Sequence, residues 1–123
     1  MTEHFRDDER LRKAERLRDR EEFLEIRRAG RRVAGPHFVV YGRTTDRAHT
    51  RLGITASRKV GKATVRNWWK RQIRESFRRN KREFPAGYDF VVIVKGSAQR
   101  GSPENLEREL LDLFDQVATE HSG

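Results

Sequence analysis

Residues 51–82 hold twelve of the chain's 28 Lys and Arg and a single acid, Glu75. Inside that block, "RKVGKATVRNWWKRQIRESFRR" sets Arg66, Lys70, Arg74 and Arg78 at four-residue intervals, with Asn67 and Arg71 beside them. On a helix these positions form one face. Like charges at that spacing repel, each pair costing about a few tenths of a kcal/mol. The first turn, where acids would suit the helix dipole, carries Arg66 and is preceded by Lys62. An anion docked there would reverse both penalties, because a helix N-terminus offers N–H groups and positive potential. The chemistry these residues suit is the binding of a polyanion such as phosphate. A face kept only for solubility would mix its signs, and this one does not.

Other chemistries find little support. No two carboxylates pair within the basic block, and His4, His37, His49 and His121 stand at no metal-binding or nucleophile–base spacing. No catalytic residue and no metal ligand is therefore assigned to the protein. The chain has no cysteine, which excludes disulfides and a thiol nucleophile and fits a reducing compartment. No apolar run approaches the ~18 residues of a membrane span. The N-terminal "MTEHFRDDERLRKAERL" lacks the apolar core of a signal peptide. A soluble cytoplasmic protein with no membrane partner is expected.

The elements that must position the basic face can be read in outline. The chain has 123 residues, 34% hydrophobic and 38% charged, with a net charge of +9. That composition suits one domain with a thin core. Residues 1–15 read as a charged, flexible arm or short helical extension, and 16–120 as the domain. "RDREEFLEIRRAG" predicts a helix over 19–28, with Asp19 as cap, Glu22 three residues on and Gly30 as stop. "RRV" at 31–33 suggests a short edge strand. "HFVVYGR" (37–43) reads as a strand, with His37, Val39 and Tyr41 on one side and Phe38 and Val40 on the other. "TRLGITAS" (50–57) reads as another, with Leu52, Ile54 and Ala56 opposed to a small polar side of Arg51, Gly53, Thr55 and Ser57. That side leaves room for something to lie across it.

A basic loop, "RKVGKA" (58–63), then leads into the helix predicted over 64–81. Its core stripe is Val65, Trp69, Ile73, Ser76 and Phe77, within about 120° of the circumference. Trp68 falls on the flank, where it either packs on a neighbour or presents an open ring. "YDFVVIVKG" is apolar on both sides and predicts an interior strand. "SPENLERELLDLFDQVATE" predicts a final helix capped by Ser102 with Pro103 at its first position. Helix, strands, helix, strand and helix in that order give an α+β or α/β sandwich with a small sheet.

The segment "TASRKVGKATVRNWWKRQIRESFR" closely resembles the signature of the protein subunit of bacterial ribonuclease P. That signature has a basic KxxG loop, then Arg-Asn, Lys-Arg and a further Arg on one helix. Here these are Lys59, Lys62, Arg66, Asn67, Lys70, Arg71 and Arg74. "RLRDREEF", "FVVY", "RLGITASRK" and "YDFVVIVKG" extend the resemblance over most of the chain. It implies a single α+β domain with a four-stranded sheet, in the order α-β-β-β-α-β-α, with a left-handed β-α-β crossover through the basic helix. Spacing alone favours the right hand.

The resemblance also implies a ribonucleoprotein endonuclease. Its RNA subunit hydrolyses precursor tRNA with Mg²⁺, bound mainly by that RNA, to give the mature 5′ end. No protein partner is expected to be required. Contacts with the catalytic RNA would come from Arg58, Lys59, Lys62, Arg66, Asn67, Lys70, Arg71, Arg74 and Arg78. The single-stranded 5′ leader of precursor tRNA would meet Phe23, Arg27, Tyr41, Thr55, Arg66 and Asn67. Aromatic stacking with cationic tracking of the backbone is how single strands are held. Two positions depart from the family. Arg27 stands where a second aromatic is frequent, and Trp68 where a basic residue is common. The rival readings are a general RNA-binding or ribosomal-type protein, and a DNA-binding protein that places the basic helix in a major groove.

Overall fold

A computed structural model describes residues 15–83, 86–98 and 102–122. The arm expected over 1–15 lies outside them except for Glu15. The elements are α1 (Arg20–Ala29), β1 (Arg31–Ala34), β2 (Phe38–Thr44), β3 (Arg51–Ala56), α2 (Ala63–Arg79), β4 (Tyr88–Val94) and α3 (Pro103–Ser122). This is the expected α+β order, with helix ends moved by one or two residues.

Helices α1 and α3 start where their capping chemistry is. Asp19 accepts the Glu21 N–H at 2.8 Å ahead of α1, and Ser102 Oγ accepts the Asn105 N–H at 3.2 Å ahead of α3. Both satisfy N–H groups that a first turn leaves unpaired. Glu22 does not complete a capping box. It reaches across to Arg51 instead.

The sheet order is β1-β2-β4-β3. β2 runs antiparallel to β1 and β4, and β3 runs parallel to β4. The parallel neighbours β3 and β4 are joined through α2, so the basic helix is the crossover of a β-α-β unit. β4 is interior, as its sequence predicts. Phe90, Val92 and Val94 point into the main core with Phe38, Val40, Leu52, Trp69, Ile73, Phe77 and the α3 stripe Leu106, Leu110, Leu113, Phe114 and Val117. Val91 turns to the opposite side, where Leu17 and Ile26 bury a smaller cluster flanked by Phe23, Tyr41 and Ile93. Helices α2 and α3 thus cover one side of the sheet, and α1 covers part of the other.

His37 corrects the strand reading. It precedes β2 and turns to the α2–α3 side, its ring centroid 6.0 Å from that of Trp69. The cause is Glu109 on α3. Its carboxylate accepts the backbone N–H groups of His37 (2.8 Å) and Phe38 (3.2 Å) and lies 2.6 Å from His37 Nδ1. Among the described residues no helix is long and apolar enough to cross a membrane.

Candidate nucleic-acid interface

The basic face of α2 is aimed by the stripe behind it. Trp69 is 1% exposed and meets Phe38 edge-on at 5.7 Å; Phe77 meets Phe114 edge-on at 6.4 Å. With Ile73 and Ser76 also buried, the helix cannot rotate about its axis without opening the core. Trp68 joins that side. It is half-buried, packs on the main core and stands edge-on to Trp69 at 5.1 Å. The two adjacent tryptophans therefore both serve packing. Asn67, Arg71 and Arg74 are exposed on the other side, and Arg66, Lys70 and Arg78 are half-buried.

Charge is neutralised at one end of α2 and left open at the other. Near the C-terminus, Glu75 accepts from Arg78 at 2.7 Å, and Arg79 pairs with Glu107. Arg78's hydrogen bond is the main reason that the Glu75 carboxyl lies below its ordinary value. Arg78 thus spends part of its guanidinium inside the protein. Toward the N-terminus, Arg66, Lys70 and Arg74 have no ion-pair partner among the described residues. Arg66 Nε is buried without a hydrogen-bond partner, an unfavourable state that an incoming phosphate oxygen would relieve.

The first turn of α2 is uncapped. Lys62 stands at the N-cap with no side-chain hydrogen bond, and no acid follows. Ahead of it Arg58 and Lys59 lie exposed in a 3₁₀ turn. Gly61 then takes φ +149°, a conformation L residues rarely adopt. The glycine of the KxxG loop is thus the joint that turns the chain into α2. Unpaired N–H groups, Lys59, Lys62 and Arg66 surround one helix end, which is the arrangement that attracts an oxyanion.

Phe23, Arg27, Tyr41 and Thr55 share the α1 side of the sheet. The small polar side of β3 does leave room, and Phe23 of the same chain occupies it over Gly53: a Cβ there would stand 2.4 Å from the ring's Cζ. Tyr41 and Gly53 flank Val91 on either side, and Thr55 pairs with Ile93. Arg27 Cζ lies 5.8 Å from the Tyr41 ring centroid. Tyr41 and Thr55 are half-buried and Arg27 is exposed, so the surface combines an aromatic ring, small polar groups and a cation. Arg66 and Asn67 belong to the other layer. They are reached round the end of β3, where the chain passes from Thr55 through the 58–60 turn into α2.

Arg51, counted in sequence with the basic block, is an internal strut. It donates to Asp89 at 2.9 and 2.8 Å and to Glu22 at 3.3 and 2.9 Å. β3, β4 and α1 are thereby tied through one guanidinium. The hydrogen bond with Asp89 raises the pKa of Arg51 and keeps it charged. Asp89 is fully buried, and burial alone would push its pKa up; hydrogen bonds and charge from Arg51, aided by Arg43, outweigh burial and hold it below the ordinary carboxylate value. The signal in the sequence is Asp89 itself. A carboxylate in an otherwise apolar interior strand requires a buried cation.

Residues 11–118 match the family model described as Ribonuclease P. A "Ribonuclease P protein component" from Syntrophobacter fumaroxidans is 39% identical over 111 residues, covering 89% of this chain and 93% of that protein. One from Thermotoga maritima is 48% identical over 95 residues, covering 77% and 76%. The solved structure of the Thermotoga maritima RNase P protein matches with a TM-score of 0.77 at 41% identity, covering 84% of this chain and 97% of that one. The Staphylococcus aureus RNase P protein matches at 0.77 and 34%, covering 84% and 94%.

Proposed function

The chain belongs to the ribonuclease P protein family, and on that premise we propose that it serves as the protein subunit of a ribonucleoprotein endonuclease that removes the 5′ leader of precursor tRNA. The observation that carries this reading is the asymmetry of α2. Its apolar stripe is locked in the core, while its N-terminal cations and the Arg58–Lys62 loop face outward without carboxylate partners. A surface of that kind is stabilised when phosphate supplies the missing charge.

The division of labour follows from what the protein offers. Lys59, Lys62, Arg66, Asn67, Lys70, Arg71 and Arg74, with Arg58 and the remaining capacity of Arg78, bind the catalytic RNA. Tyr41, Thr55 and Arg27, with Phe23 shaping the surface beneath, receive the single-stranded leader on the α1 side. The leader leaves past the end of β3 toward Arg66 and Asn67. On this reading the catalytic centre would lie on the RNA, and Mg²⁺ held there would supply Lewis-acid chemistry for phosphodiester hydrolysis. Among the described residues no three His, Asp or Glu come together, and the buried carboxylate of Asp89 already faces Arg51.

The test is reconstitution with a bacterial ribonuclease P RNA and a precursor tRNA at limiting Mg²⁺. Faster 5′ cleavage is expected, together with tighter precursor binding that weakens as the leader is shortened. No enhancement would overturn the reading in favour of a general RNA-binding role. Cleavage by the protein alone would place an active site on it.

A further inference from the structure

A second cationic cleft lies along the outer edge of β3, next to the small cluster of Leu17, Ile26 and Val91 that Phe23 and Tyr41 flank. Arg16 and Arg18, ahead of α1, form one wall; Lys70 and Arg74 of α2 form the other; Leu17, Leu52 and Ile54 make the floor. Its volume is about 480 Å³. No carboxylate lines it, and none of the four cations has an ion-pair partner among the described residues. By contrast, Arg43, Arg47, Arg51, Arg78, Arg79 and Lys81 each lie within 4.0 Å of a carboxylate.

The wall that carries Arg16 and Arg18 is fastened in place. Leu17 is 3% exposed and its N–H donates to the Leu52 carbonyl at 2.9 Å. Arg16 bridges to Leu52 in parallel register. Glu15 accepts from Lys81 at 2.8 Å, which ties the segment to the far end of α2. This strap pairs with the β3 edge and holds two guanidinium groups opposite Lys70 and Arg74 before any ligand arrives. Arg16, Arg18 and Arg74 are exposed and Lys70 is half-buried, and like charges gathered around one cleft repel one another, more weakly through water than in an interior. The ligand that reverses this must carry negative charge at several spaced points. A phosphodiester backbone has that property.

We infer that this cleft is a track for an RNA phosphodiester backbone, and that Arg16 and Arg18 are RNA-contacting residues. The inference rests on the proposed RNA-binding function and deepens it. The backbone could come from the catalytic RNA or from precursor tRNA, and the two are separable. The Arg16→Ala/Arg18→Ala double variant is compared with Arg32→Ala/Arg108→Ala, which removes the same charge from exposed positions on β1 and α3. One arm measures affinity for isolated ribonuclease P RNA over a salt series; the other measures the assembled enzyme's affinity for precursor tRNA. Removing one arginine–phosphate pairing flattens the plot of log affinity against log salt by about 0.7 to 0.9, so the double variant should drop by about 1.5 in slope and bind about tenfold more weakly in one arm. Weakening in the first arm assigns the track to the catalytic RNA, and weakening in the second to the precursor. Equal slopes and affinities for the two double variants in both arms overturn the inference. Arg66→Ala is run alongside. If it weakens RNA binding while Arg16→Ala/Arg18→Ala does not, the cleft is refuted and the general function stands. A wild-type protein that binds neither RNA refutes that function itself.

Discussion

Phe23 rests directly on Gly53: a Cβ at position 53 would stand 2.4 Å from Cζ and 2.7 Å from Cε1 of the ring. Two elements distant in sequence, α1 and β3, therefore meet through the Phe23 ring against bare strand backbone. Gly53→Ala forces the ring away and should cost about 1–3 kcal/mol of stability, as over-packing does. It should also weaken precursor binding in proportion to leader length, while affinity for the catalytic RNA stays as in wild type. Titration of precursors with long and short leaders checks this. Unchanged long-leader affinity would remove Phe23 from the leader surface.

Trp69 and Asn67 lie two residues apart on α2 and should behave oppositely. Trp69→Ala deletes a fully buried ring and is expected to cost about 3–5 kcal/mol in a urea titration. Asn67→Ala alters an exposed position and should move stability by less than about 0.5 kcal/mol, yet impair the assembled enzyme. Arg66→Ala should do the same, since it also removes a buried N–H that has no partner. A large drop in stability at Asn67 would mean that the helix is turned differently.

These pairs show what a linear pattern conveys. The core stripe of α2 is legible because a helix repeats its faces at fixed spacing, and Trp69, Ile73 and Phe77 obey that period. Trp68 sits on the boundary of the wheel, and the partner ring of Trp69 decides its side. The small side of β3 is legible as space, though its occupant is not, because Phe23 arrives from another element. His37 departs from its strand period because a carboxylate 72 residues away captures its backbone. Arg51 looks like part of the basic block because charge counts cannot tell a solvated arginine from one bonded to Asp89. Arg16 and Arg18 show no helical or strand period at all. Their place depends on the edge pairing of Leu17 with Leu52, which joins distant segments.

The Asp89–Arg51–Glu22 strut should make the fold acid-sensitive. Asp89 has a folded-state pKa below its ordinary 3.8. Its contribution is therefore fully present above 3.8 and is lost as pH falls through the lower folded value. Asp89→Asn abolishes that titration and leaves Arg51 buried against a neutral partner, so it should be strongly destabilised near neutrality. Urea titrations of both proteins over a series from about pH 6 to about pH 3 should show the gap between them narrowing at the acid end. A constant gap would mean that Asp89 keeps its ordinary pKa.

Arg27 carries a separate expectation, because it lies over Tyr41 where an aromatic would stack and nothing more. A guanidinium can stack on a base and also meet the backbone phosphate. Arg27→Ala should weaken precursor binding about three- to tenfold and flatten its salt dependence by about 0.7, the value for one phosphate of a single strand. Arg27→Phe should recover affinity through stacking and keep the flattened slope. The two variants are distinguished by measuring precursor affinity at low and high salt with the leader intact. A wild-type slope in Arg27→Ala would show that Arg27 touches no phosphate and that Tyr41 alone defines this end of the leader surface.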